Sequence, residues 1–326
     1  MVKVVRVYEP GGPEVLKYED AEVANPKADE VRVRHTAMGI NLIDVYHRTA
    51  TSGQYAIARP AVLGIEATGV VEEVGAEVRG FAPGDRVGYL MSIGAYSEAR
   101  VIKASQLVKM PEDVQDTQVA AGLVRGITAQ YLLTRIYPVA RGSTLLVHGA
   151  SGGVGQLMIQ WAKHLGATVI AAVPSDDDVA VARSAGSDHV VVLSSRGWAE
   201  QTREFTGGRG VDVAYDSVGK DTFLQSLDCV RPLGMIVNYG QASGPVPPFD
   251  IGLLAQKGSV FLAKPTLATF NADPKIRQEL ADGFFQALQQ NIVRIPDPRQ
   301  IRLADVAQAH RDLEARRLTG PTVLVP

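Results

Sequence analysis

The chain has 326 residues, 46% hydrophobic and 21% charged, so it is long enough to bury a large core and to form two domains. Its 33 basic and 35 acidic residues give a formal net charge of -2, which disfavours nucleic acid as the main partner. The single cysteine, Cys229, excludes an internal disulfide and a thiolate metal cage. Because no apolar run is long enough for a membrane span or a signal peptide, we expect a cytoplasmic protein.

Short alternating runs separated by glycine and proline turns fill roughly the first 120 residues and predict an antiparallel β region. The opening residues, MVKVVRVYEPGG, alternate in the manner of an edge strand. Further strands are predicted for VRVRHTAMGI, TGVVEEVG and DRVGYL.

The pattern changes near Val119, where VAAGLVRGITAQYLLTRIY places apolar residues at helical spacing. Short apolar runs then alternate with helical patterns, which predicts a doubly wound parallel sheet covered by helices on both faces. The predicted strands are STLLVHGA, TVIAAV, HVVVL, VDVAYDSVG and MIVNYG, and the predicted helices between them are GVGQLMIQWAKHLG, DVAVARSAG, WAEQTREFTGG and TFLQSLDCVRPLG.

After Lys264 the alternation stops. A helix, DPKIRQELADGFFQALQQN, is followed by irregular chain and a last strand, TVLVP. We expect this tail to return to the first domain. The predicted boundaries are therefore 1–122 with 265–326 for the first domain and 123–264 for the second.

A glycine-rich corner, HGASGGVG at 148–155, lies between a predicted strand and a predicted helix. Its pattern is a variant of the dinucleotide-binding fingerprint, in which small residues let the backbone approach a pyrophosphate and the helix N-terminus supplies N–H groups. A tight strand-to-helix turn without a ligand is the alternative, but the surrounding alternation favours dinucleotide binding. The candidate cofactor-binding residues here are Ser151, Gly152, Gly153, Val154 and Gly155.

The second predicted strand of this region ends at Val173 and is followed by Pro174, Ser175 and three aspartates, 176–178. An acidic residue in this position of a dinucleotide-binding unit accepts the ribose 2′-hydroxyl and repels a 2′-phosphate. The same run would also suit the N-terminus of the next helix. Both interpretations stay open.

Motifs along nearly the whole chain carry a family resemblance: NLIDVYHR (41–48), LGIEATGVVEEVG (63–75), GDRVGYL (84–90), GAYSE (94–98), RGITAQYLL (125–133), HGASGGVG (148–155), YDSVGK (215–220), GQASG (240–244), QKGS (256–259) and EARRLTGPTVLVP at the end. With them the chain resembles the zinc-independent quinone oxidoreductases of the medium-chain dehydrogenase/reductase superfamily. N-x-I-D-x-Y-x-R together with YDSVG is more specific to this branch than GDRV, which the whole superfamily shares.

The resemblance implies an α/β protein with a Rossmann cofactor domain and a GroES-like, mainly antiparallel β catalytic domain. It also implies hydride transfer from a reduced nicotinamide cofactor to a quinone. Relatives are homodimers joined edge to edge through the cofactor-domain sheet, and the apolar stretch from Pro245 to Phe261 suits such an edge.

The zinc ligands of related alcohol dehydrogenases have no counterpart in this sequence. Those enzymes have a Cys in the segment matching NLID and a His in the segment matching LGIE, where this chain has no thiol and Ile65. Cys229 cannot form a structural zinc site alone, and the six histidines have no ligand spacing. We therefore predict no metal, and an acceptor that is already electron-poor, such as a quinone or an activated enone.

The resemblance implies that Asn41, Asp44 and Tyr46 face the nicotinamide and the substrate. Tyr46 would hydrogen-bond a quinone oxygen or pass a proton to it, and Asn41 would hold the carboxamide, the ribose or a carbonyl. Arg48 would steady Asp44 or favour a developing oxyanion. Alternatively, Asp44 and Arg48, at i and i+4, form a helix salt bridge.

Further cofactor contacts follow from the resemblance, namely Thr128 (with helix packing as its alternative), Ser217, Val218, Tyr239, Gly240, Gln241 and Lys264. NADPH-using relatives hold the 2′-phosphate with a Lys and a Tyr, at positions where this chain has Asp178 and Leu193. Ser175 remains, and Arg316 matches a C-terminal Arg of those relatives. The family therefore implies NADPH, whereas the loss of a cation and gain of an anion predict that NADH is used or even preferred.

Two alternative functions remain. The first is a zinc-free enone or enoyl-thioester reductase of the same superfamily, although Arg48, Arg59 and Lys264 are few cations for an acyl-CoA. The second is a crystallin-like or RNA-binding protein with the nucleotide as modulator, which the near-zero charge disfavours.

Overall fold

The computed structural model describes residues 1–318 and 320–326. The strands are β1 (Val2–Val7), β2 (Lys17–Ala21), β3 (Glu30–Gly39), β4 (Ala61–Val62), β5 (Ala67–Val74), β6 (Arg86–Tyr89), β7 (Ala99–Lys103), β8 (Leu107–Lys109), β9 (Thr144–His148), β10 (Thr168–Val173), β11 (His189–Val192), β12 (Val211–Asp216), β13 (Val230–Asn238), β14 (Phe261–Ala263), β15 (Arg299–Arg302) and β16 (Thr322–Val325).

The helices are α1 (Leu42–Thr49), α2 (Asp116–Tyr131), α3 (Gly153–His164), α4 (Val179–Ser184), α5 (Trp198–Glu204), α6 (Phe223–Cys229), α7 (Gly252–Gln256), α8 (Leu267–Asn271), α9 (Pro274–Gln289) and α10 (Val306–Glu314). Within the described ranges, none of them has both the length and the hydropathy needed to cross a membrane.

The chain divides into two compact units. Unit 1 comprises residues 1–124, 271–289 and 295–326, and unit 2 comprises residues 125–270 and 290–294.

Unit 1 is built from two mainly antiparallel sheets, as the alternating runs predict. The larger sheet has the order β15-β16-β3-β5-β6-β8, with β7 also paired to β3, and the smaller sheet has the order β2-β1-β4. Among the strand pairs of the part of unit 1 that the structure describes, only β15 and β16 run parallel. Side chains from successive strands, among them Val33, Val71 and Val87, are fully or almost fully buried in its core.

The expectation that the first strand lies at an edge is wrong. Strand β1 is central in its sheet, because Arg6 pairs with Lys17 on one side and with Val62 on the other. The alternation of polar and apolar residues reports which face of a strand is buried, and it carries no information on how many neighbours the strand has.

Unit 2 contains the predicted doubly wound sheet. Its order is β11-β10-β9-β12-β13-β14, and every pair is parallel. Central strands are buried on both faces, as Leu145, Leu146 and Val147 of β9 illustrate. The strand order reverses between β9 and β12, so the residues that follow these two strands meet at the switch point where such sheets bind ligands.

Two stretches differ from their predictions. The part of the chain between α9 and the last strand was expected to be irregular, but it contains β15 and α10. The stretch 222–234 was expected to be helical throughout, but α6 ends at Cys229 and β13 begins at Val230. Pro232 lacks the N–H that a helix interior needs. A Cβ on Gly234 would lie 3.0 Å from the carbonyl oxygen of Asp212, so this glycine permits close approach to β12.

Candidate functional site

The turn from β9 into α3 is packed too tightly for side chains at two positions. Gly149 has φ +62, in the left-handed region that favours glycine. A Cβ on Gly155 would lie 2.3 Å from the carbonyl oxygen of Gly149 and 2.8 Å from the Cα of Ala150. Both contacts are with backbone, so Gly155 allows the first turn of α3 to lie directly against the end of the strand.

The N-terminus of α3 offers backbone donors to an anion. Gly152 is the N-cap and has no side chain that could cap the helix, and the N–H of Gln156 donates to its carbonyl oxygen at 3.0 Å. The N–H groups of Gly153, Val154 and Gly155 belong to the first turn, where helices have no internal acceptors and carry the positive end of the dipole. This donor set fits the pyrophosphate of a dinucleotide.

Ser151 and Gly152 lie at the tip of the turn. The carbonyl oxygen of Ser151 accepts a hydrogen bond from Nε2 of Gln156 at 2.7 Å, which fixes the turn against the helix. A Cβ on Gly152 would have a single neighbour, the carbonyl oxygen of Gly149 at 3.1 Å, and this residue is exposed. The open side of Gly152 is therefore available for the close approach of a ligand.

The loop that follows β12 is held beside this turn. Buried Asp216 accepts the N–H groups of Val218 at 2.8 Å and Gly219 at 2.9 Å, and the hydroxyl of Thr222 at 2.9 Å. The hydroxyl of Ser217 donates to the carbonyl oxygen of His148, the last residue of β9, at 3.2 Å. The structure thus brings Ser217 and Val218 to the glycine turn, with Asp216 as a support that the sequence analysis did not single out.

The loop after β13 lies against the same segment. The N–H of Tyr239 donates to the carbonyl oxygen of Asp216 at 2.9 Å, and a Cβ on Gly240 would lie 2.6 Å from the carbonyl oxygen of Ser217. Gln241 begins the next turn, where its carbonyl oxygen accepts the N–H of Gly244 at 2.9 Å.

Lys264 reaches this region through Asn238, which sequence reasoning missed. The Lys264 ammonium donates to Oδ1 of Asn238 at 2.6 Å, and Nδ2 of Asn238 donates to the carbonyl oxygen of Gly240 at 3.0 Å. Burial lowers the pKa of Lys264, whereas Asp216 acts in the opposite direction. An asparagine inside an otherwise apolar strand, MIVNYG, was the available signal for this role.

Thr128 lies on α2 and is buried. One helical turn further, the ring of Tyr131 stacks on Phe270 with 4.3 Å between the ring centroids. Burial raises the pKa of both Tyr131 and Tyr239, so the two phenols are neutral at physiological pH.

The ends of β10 and β11 lie side by side, since the N–H of Leu193 donates to the carbonyl oxygen of Val173 at 2.8 Å. The hydroxyl of Ser175 donates to Oδ2 of Asp178 at 2.9 Å, so these two side chains are joined. Leu193 packs partly buried against the core of unit 2. Arg316, in contrast, belongs to unit 1, where its N–H donates to the carbonyl oxygen of Leu313.

In unit 1, helix α1 presents the other predicted side chains. Asn41 is its N-cap. The Asn41 backbone N–H donates to Oδ2 of Asp44 at 2.8 Å, and its Nδ2 donates to Oε1 of Glu66 at 2.6 Å. Tyr46 is partly exposed, with its ring 5.0 Å from that of Tyr55. Burial and the neighbouring Tyr55 raise the pKa of Tyr46, so the phenol keeps its proton at neutral pH.

Arg48 is 1% exposed and points away from solvent. Its guanidinium donates to the carbonyl oxygen of Gly11 at 2.9 Å, to Nδ1 of His310 at 3.0 Å and to Oε1 of Glu314 at 2.7 Å. Its ion pair is therefore made with α10, whereas Asp44 interacts with Asn41 and Tyr96.

The C-terminus of α1 is closed by Arg59. Its Nη2 donates to the carbonyl oxygens of His47 at 2.9 Å, Arg48 at 3.3 Å and Ala50 at 3.1 Å. These are carbonyls that a helix end leaves without internal donors. A cation also complements the negative end of the helix dipole, so Arg59 fixes the helix that carries Asp44 and Tyr46.

In residues 1–318 and 320–326, no group of three or more His, Cys, Asp or Glu side chains is arranged to hold a metal ion. Ile65 is buried at the position where related alcohol dehydrogenases have a zinc-binding histidine.

Comparisons with known proteins agree with this geometry. The alcohol dehydrogenase GroES-like domain matches residues 27–112, and the zinc-binding dehydrogenase family matches residues 153–266. A quinone oxidoreductase of Pseudomonas aeruginosa is 44% identical over 100% of both chains. A 2-haloacrylate reductase of Burkholderia is 39% identical and covers 100% of this chain and 99% of its own.

A solved structure of Escherichia coli quinone oxidoreductase complexed with NADPH superposes with a TM-score of 0.93 at 34% identity, covering 99% of this chain and 100% of that one. Identity of this extent over 99–100% of the chains compared, with the same two folds, establishes common descent. The chain belongs to the quinone oxidoreductase family of the medium-chain dehydrogenase/reductase superfamily.

Proposed function

We propose that the protein transfers hydride from a reduced nicotinamide dinucleotide to a quinone. The observation that carries this proposal is the uncapped first turn of α3 behind a glycine corner too tight for side chains at Gly155. The bound coenzyme supplies the hydride. The protein's part is to hold the coenzyme and the acceptor in position and to exclude water.

In this proposal, residues 151–155 bind the pyrophosphate. Ser217, Val218, Tyr239, Gly240, Gln241, Lys264 and Thr128 hold the nicotinamide half, because the three loops that carry most of them follow adjacent strands at the switch point. The bond from Lys264 to Asn238 fixes the loop after β13, so the ammonium is already in place before the coenzyme binds.

Helix α1 would hold the acceptor. Tyr46 donates a hydrogen bond to a quinone oxygen, since its phenol is protonated at neutral pH and partly exposed. Asn41 is oriented by Glu66 and positions a carbonyl or the coenzyme ribose. Arg48 is buried, so its proposed part is to steady Asp44 indirectly rather than to touch an oxyanion.

For the adenosine end we propose that NADH is accepted together with NADPH, or is preferred. The carboxylate of Asp178 already accepts the hydrogen bond of the Ser175 hydroxyl, and the side chain of Leu193 has no polar group. A 2′-phosphate would meet an anion there, whereas a 2′-hydroxyl could donate to it. Arg316, which matches a C-terminal Arg of the NADPH-using relatives, is a candidate cation for a phosphate.

A second candidate function is reduction of an activated alkene. The relative named 2-haloacrylate reductase, at 39% identity, supports it. Steady-state rates with 1,4-benzoquinone, 9,10-phenanthrenequinone, an alkenal and crotonyl-CoA separate the two functions. We expect the quinones to have the highest kcat/KM, and faster turnover of the alkenal or the thioester would make alkene reduction the main activity.

We also propose that the reaction needs no metal. The residues described for α1 and its neighbours bind one another through amide, carboxylate and phenol groups, and Ile65 supplies no ligand. Prolonged dialysis against a chelator should leave the quinone reductase rate unchanged. A loss that zinc restores would contradict this proposal.

Finally, we propose a homodimer joined through β14. This strand ends the six-stranded order, and Phe261 and Leu262 on it are 57% and 40% exposed. Pairing with the same strand of a second copy would cover both side chains. Light scattering should give a molar mass of two chains for the unmodified protein and of one chain for Phe261→Asp. The cytoplasmic location stays a prediction.

A further inference from the structure

A chain of buried polar side chains runs through unit 1 beneath the helix that carries Tyr46. Arg48 Nη1 contacts His310 Nδ1 at 3.0 Å, His310 Nε2 contacts the Tyr96 hydroxyl at 3.2 Å, and that hydroxyl contacts Asp44 Oδ2 at 3.0 Å. Arg48 also pairs with Glu314 at 2.7 Å. Asp44, Arg48, Tyr96 and His310 are each at most 1% exposed.

The chemistry of the end groups fixes the direction of every hydrogen bond. A guanidinium only donates, so Nδ1 of His310 accepts and its proton lies on Nε2. Nε2 then donates to the oxygen of Tyr96, whose own proton is directed to Asp44. Burial and the charge of Arg48 lower the pKa of His310 to about 3, which keeps this imidazole neutral.

At the far end, the two oxygens of Asp44 differ. Oδ2 accepts two hydrogen bonds, from the Asn41 backbone and from Tyr96. Oδ1 is buried and has no hydrogen-bond partner. When this carboxyl is protonated, the proton therefore resides on Oδ1, because both donors already occupy Oδ2.

The groups around Asp44 have opposite effects on its pKa. Burial, followed in smaller measure by the charge of Glu66, raises its pKa, whereas the Asn41 N–H and the Tyr96 hydroxyl lower it, with a result of about 7. Glu66 comes from the segment before β5, Tyr96 from the segment before β7, His310 from α10, and Arg48 from α1 itself. Glu314 neutralises Arg48 at the outer end of the chain.

We propose that Tyr96 and His310 are positioning residues which, through this directional chain, set the proton equilibrium of Asp44 and thereby the pH dependence of quinone reduction. The link to the pH dependence of quinone reduction rests on the proposed function. The neutral carboxyl is the active form, because a carboxylate two residues from Tyr46 would oppose the negative charge that develops on the reduced quinone. kcat/KM should therefore fall as the pH rises through the titration of Asp44.

The equilibrium can be measured without any turnover. Carboxyl-labelled [4-13C]aspartate is incorporated into the full chain, and Asp44→Asn identifies the signal of Asp44 in an NMR titration. In the unmodified protein we expect this carboxyl to titrate close to neutral pH. Tyr96→Phe removes a hydrogen bond to the ionised form, so the midpoint should rise by about one to two pH units.

Two substitutions of His310 break different hydrogen bonds of this side-chain network. Asparagine can place its amide near the position of Nδ1 and keep the contact with Arg48, but it is too short to reach Tyr96. Glutamine can place its amide near the position of Nε2 and keep the contact with Tyr96. We expect His310→Asn to raise the Asp44 midpoint in the same direction as Tyr96→Phe, and His310→Gln to stay close to the unmodified protein.

A matched control exists in the same unit. Tyr89 is a fully buried tyrosine that contacts Nε2 of a buried histidine, His35, at 3.0 Å, and it makes no bond to Asp44. Tyr89→Phe should leave the Asp44 titration unchanged. Circular dichroism and NADPH binding verify that each variant is folded.

The possible results of these titrations and rate measurements distinguish failure of the Asp44 proposal from failure of the proposed quinone reductase function. An Asp44 midpoint near the ordinary value of about 4, or one that Tyr96→Phe and His310→Asn leave unmoved, would overturn the proposal whatever the substrate is. If the midpoint moves but the falling limb of kcat/KM does not follow it, Asp44 does not control the reaction, and that part is overturned. An enzyme without quinone activity would refute the proposed function and leave the titration result standing.

Discussion

Gly152 and Gly155 lie three residues apart in the same turn, yet the structure predicts a larger loss of stability for alanine at Gly155 than at Gly152. In Gly155→Ala the new Cβ would lie 2.3 Å, 2.8 Å and 2.9 Å from backbone atoms of Gly149 and Ala150, so the strand end or the helix must shift. Overpacking of this kind costs about 1–3 kcal/mol of unfolding free energy. We expect both stability and coenzyme affinity to fall.

Gly152→Ala has only one close contact, at 3.1 Å, and its φ of -79 suits any residue. The loss of stability should therefore be below about 1 kcal/mol, as for an exposed N-cap. The added methyl group nevertheless lies where the pyrophosphate must approach the backbone. Affinity for NADPH should fall at least tenfold, which is about 1.4 kcal/mol of binding free energy.

Urea unfolding gives the stabilities, and fluorescence titration with NADPH gives the affinities. If Gly152→Ala is folded and binds NADPH as tightly as the unmodified chain, the pyrophosphate does not lie on the first turn of α3. If Gly155→Ala unfolds at the same urea concentration as the unmodified chain, the tight packing inferred for this corner is wrong.

Three other predictions concern single side chains. Asp178→Lys should free the Ser175 hydroxyl and supply a cation, so the ratio of kcat/KM with NADH to that with NADPH should fall at least tenfold; an unchanged ratio would place the 2′ position elsewhere. Burial lowers the pKa of His35 to about 4, below the value of 6.5 in the unfolded chain. The folded state therefore has its full stability above pH 6.5. It loses stability as the pH falls toward 4, because the unfolded chain then binds a proton that the buried imidazole does not. Relative to His35→Asn, the wild-type protein should therefore lose about 3 kcal/mol in urea unfolding between those pH values, and parallel curves would contradict this. Arg59→Met should cost about 1–3 kcal/mol by releasing the carbonyls of His47 and Arg48 in α1 and of its C-cap residue Ala50, while exposed Arg79→Met should cost almost nothing; equal costs would refute the capping role.

Local patterns predicted much of unit 2. Strands buried on both faces leave continuous apolar runs such as TVIAAV, which the structure has as β10, Thr168–Val173. The glycine corner was also readable, because its residues are contiguous. The boundary between α6 and β13 was not, since no turn residue separates Cys229 from Val230 and the strand is defined by its pairing with β12.

The surroundings of Asp44 could not be predicted from the sequence. Its partner Tyr96 is 52 residues away, and His310 is a further 214 residues along the chain. The segment that carries His310 and Glu314 was expected to be irregular, so the sequence did not place these two side chains on a helix, α10, that packs against α1. Polar networks of this kind depend on tertiary contacts, and the periodicity of the sequence carries no information on those contacts.

The central claim, that a reduced nicotinamide dinucleotide bound at the first turn of α3 reduces a quinone without a metal, has one direct test. The purified, chelator-treated chain is titrated with NADPH and with NADH, and a quinone is then added to the complex in a single-turnover measurement. Saturable binding followed by oxidation of one coenzyme per subunit is the expected result. Failure of both coenzymes to bind, or oxidation that requires added zinc, would contradict the claim.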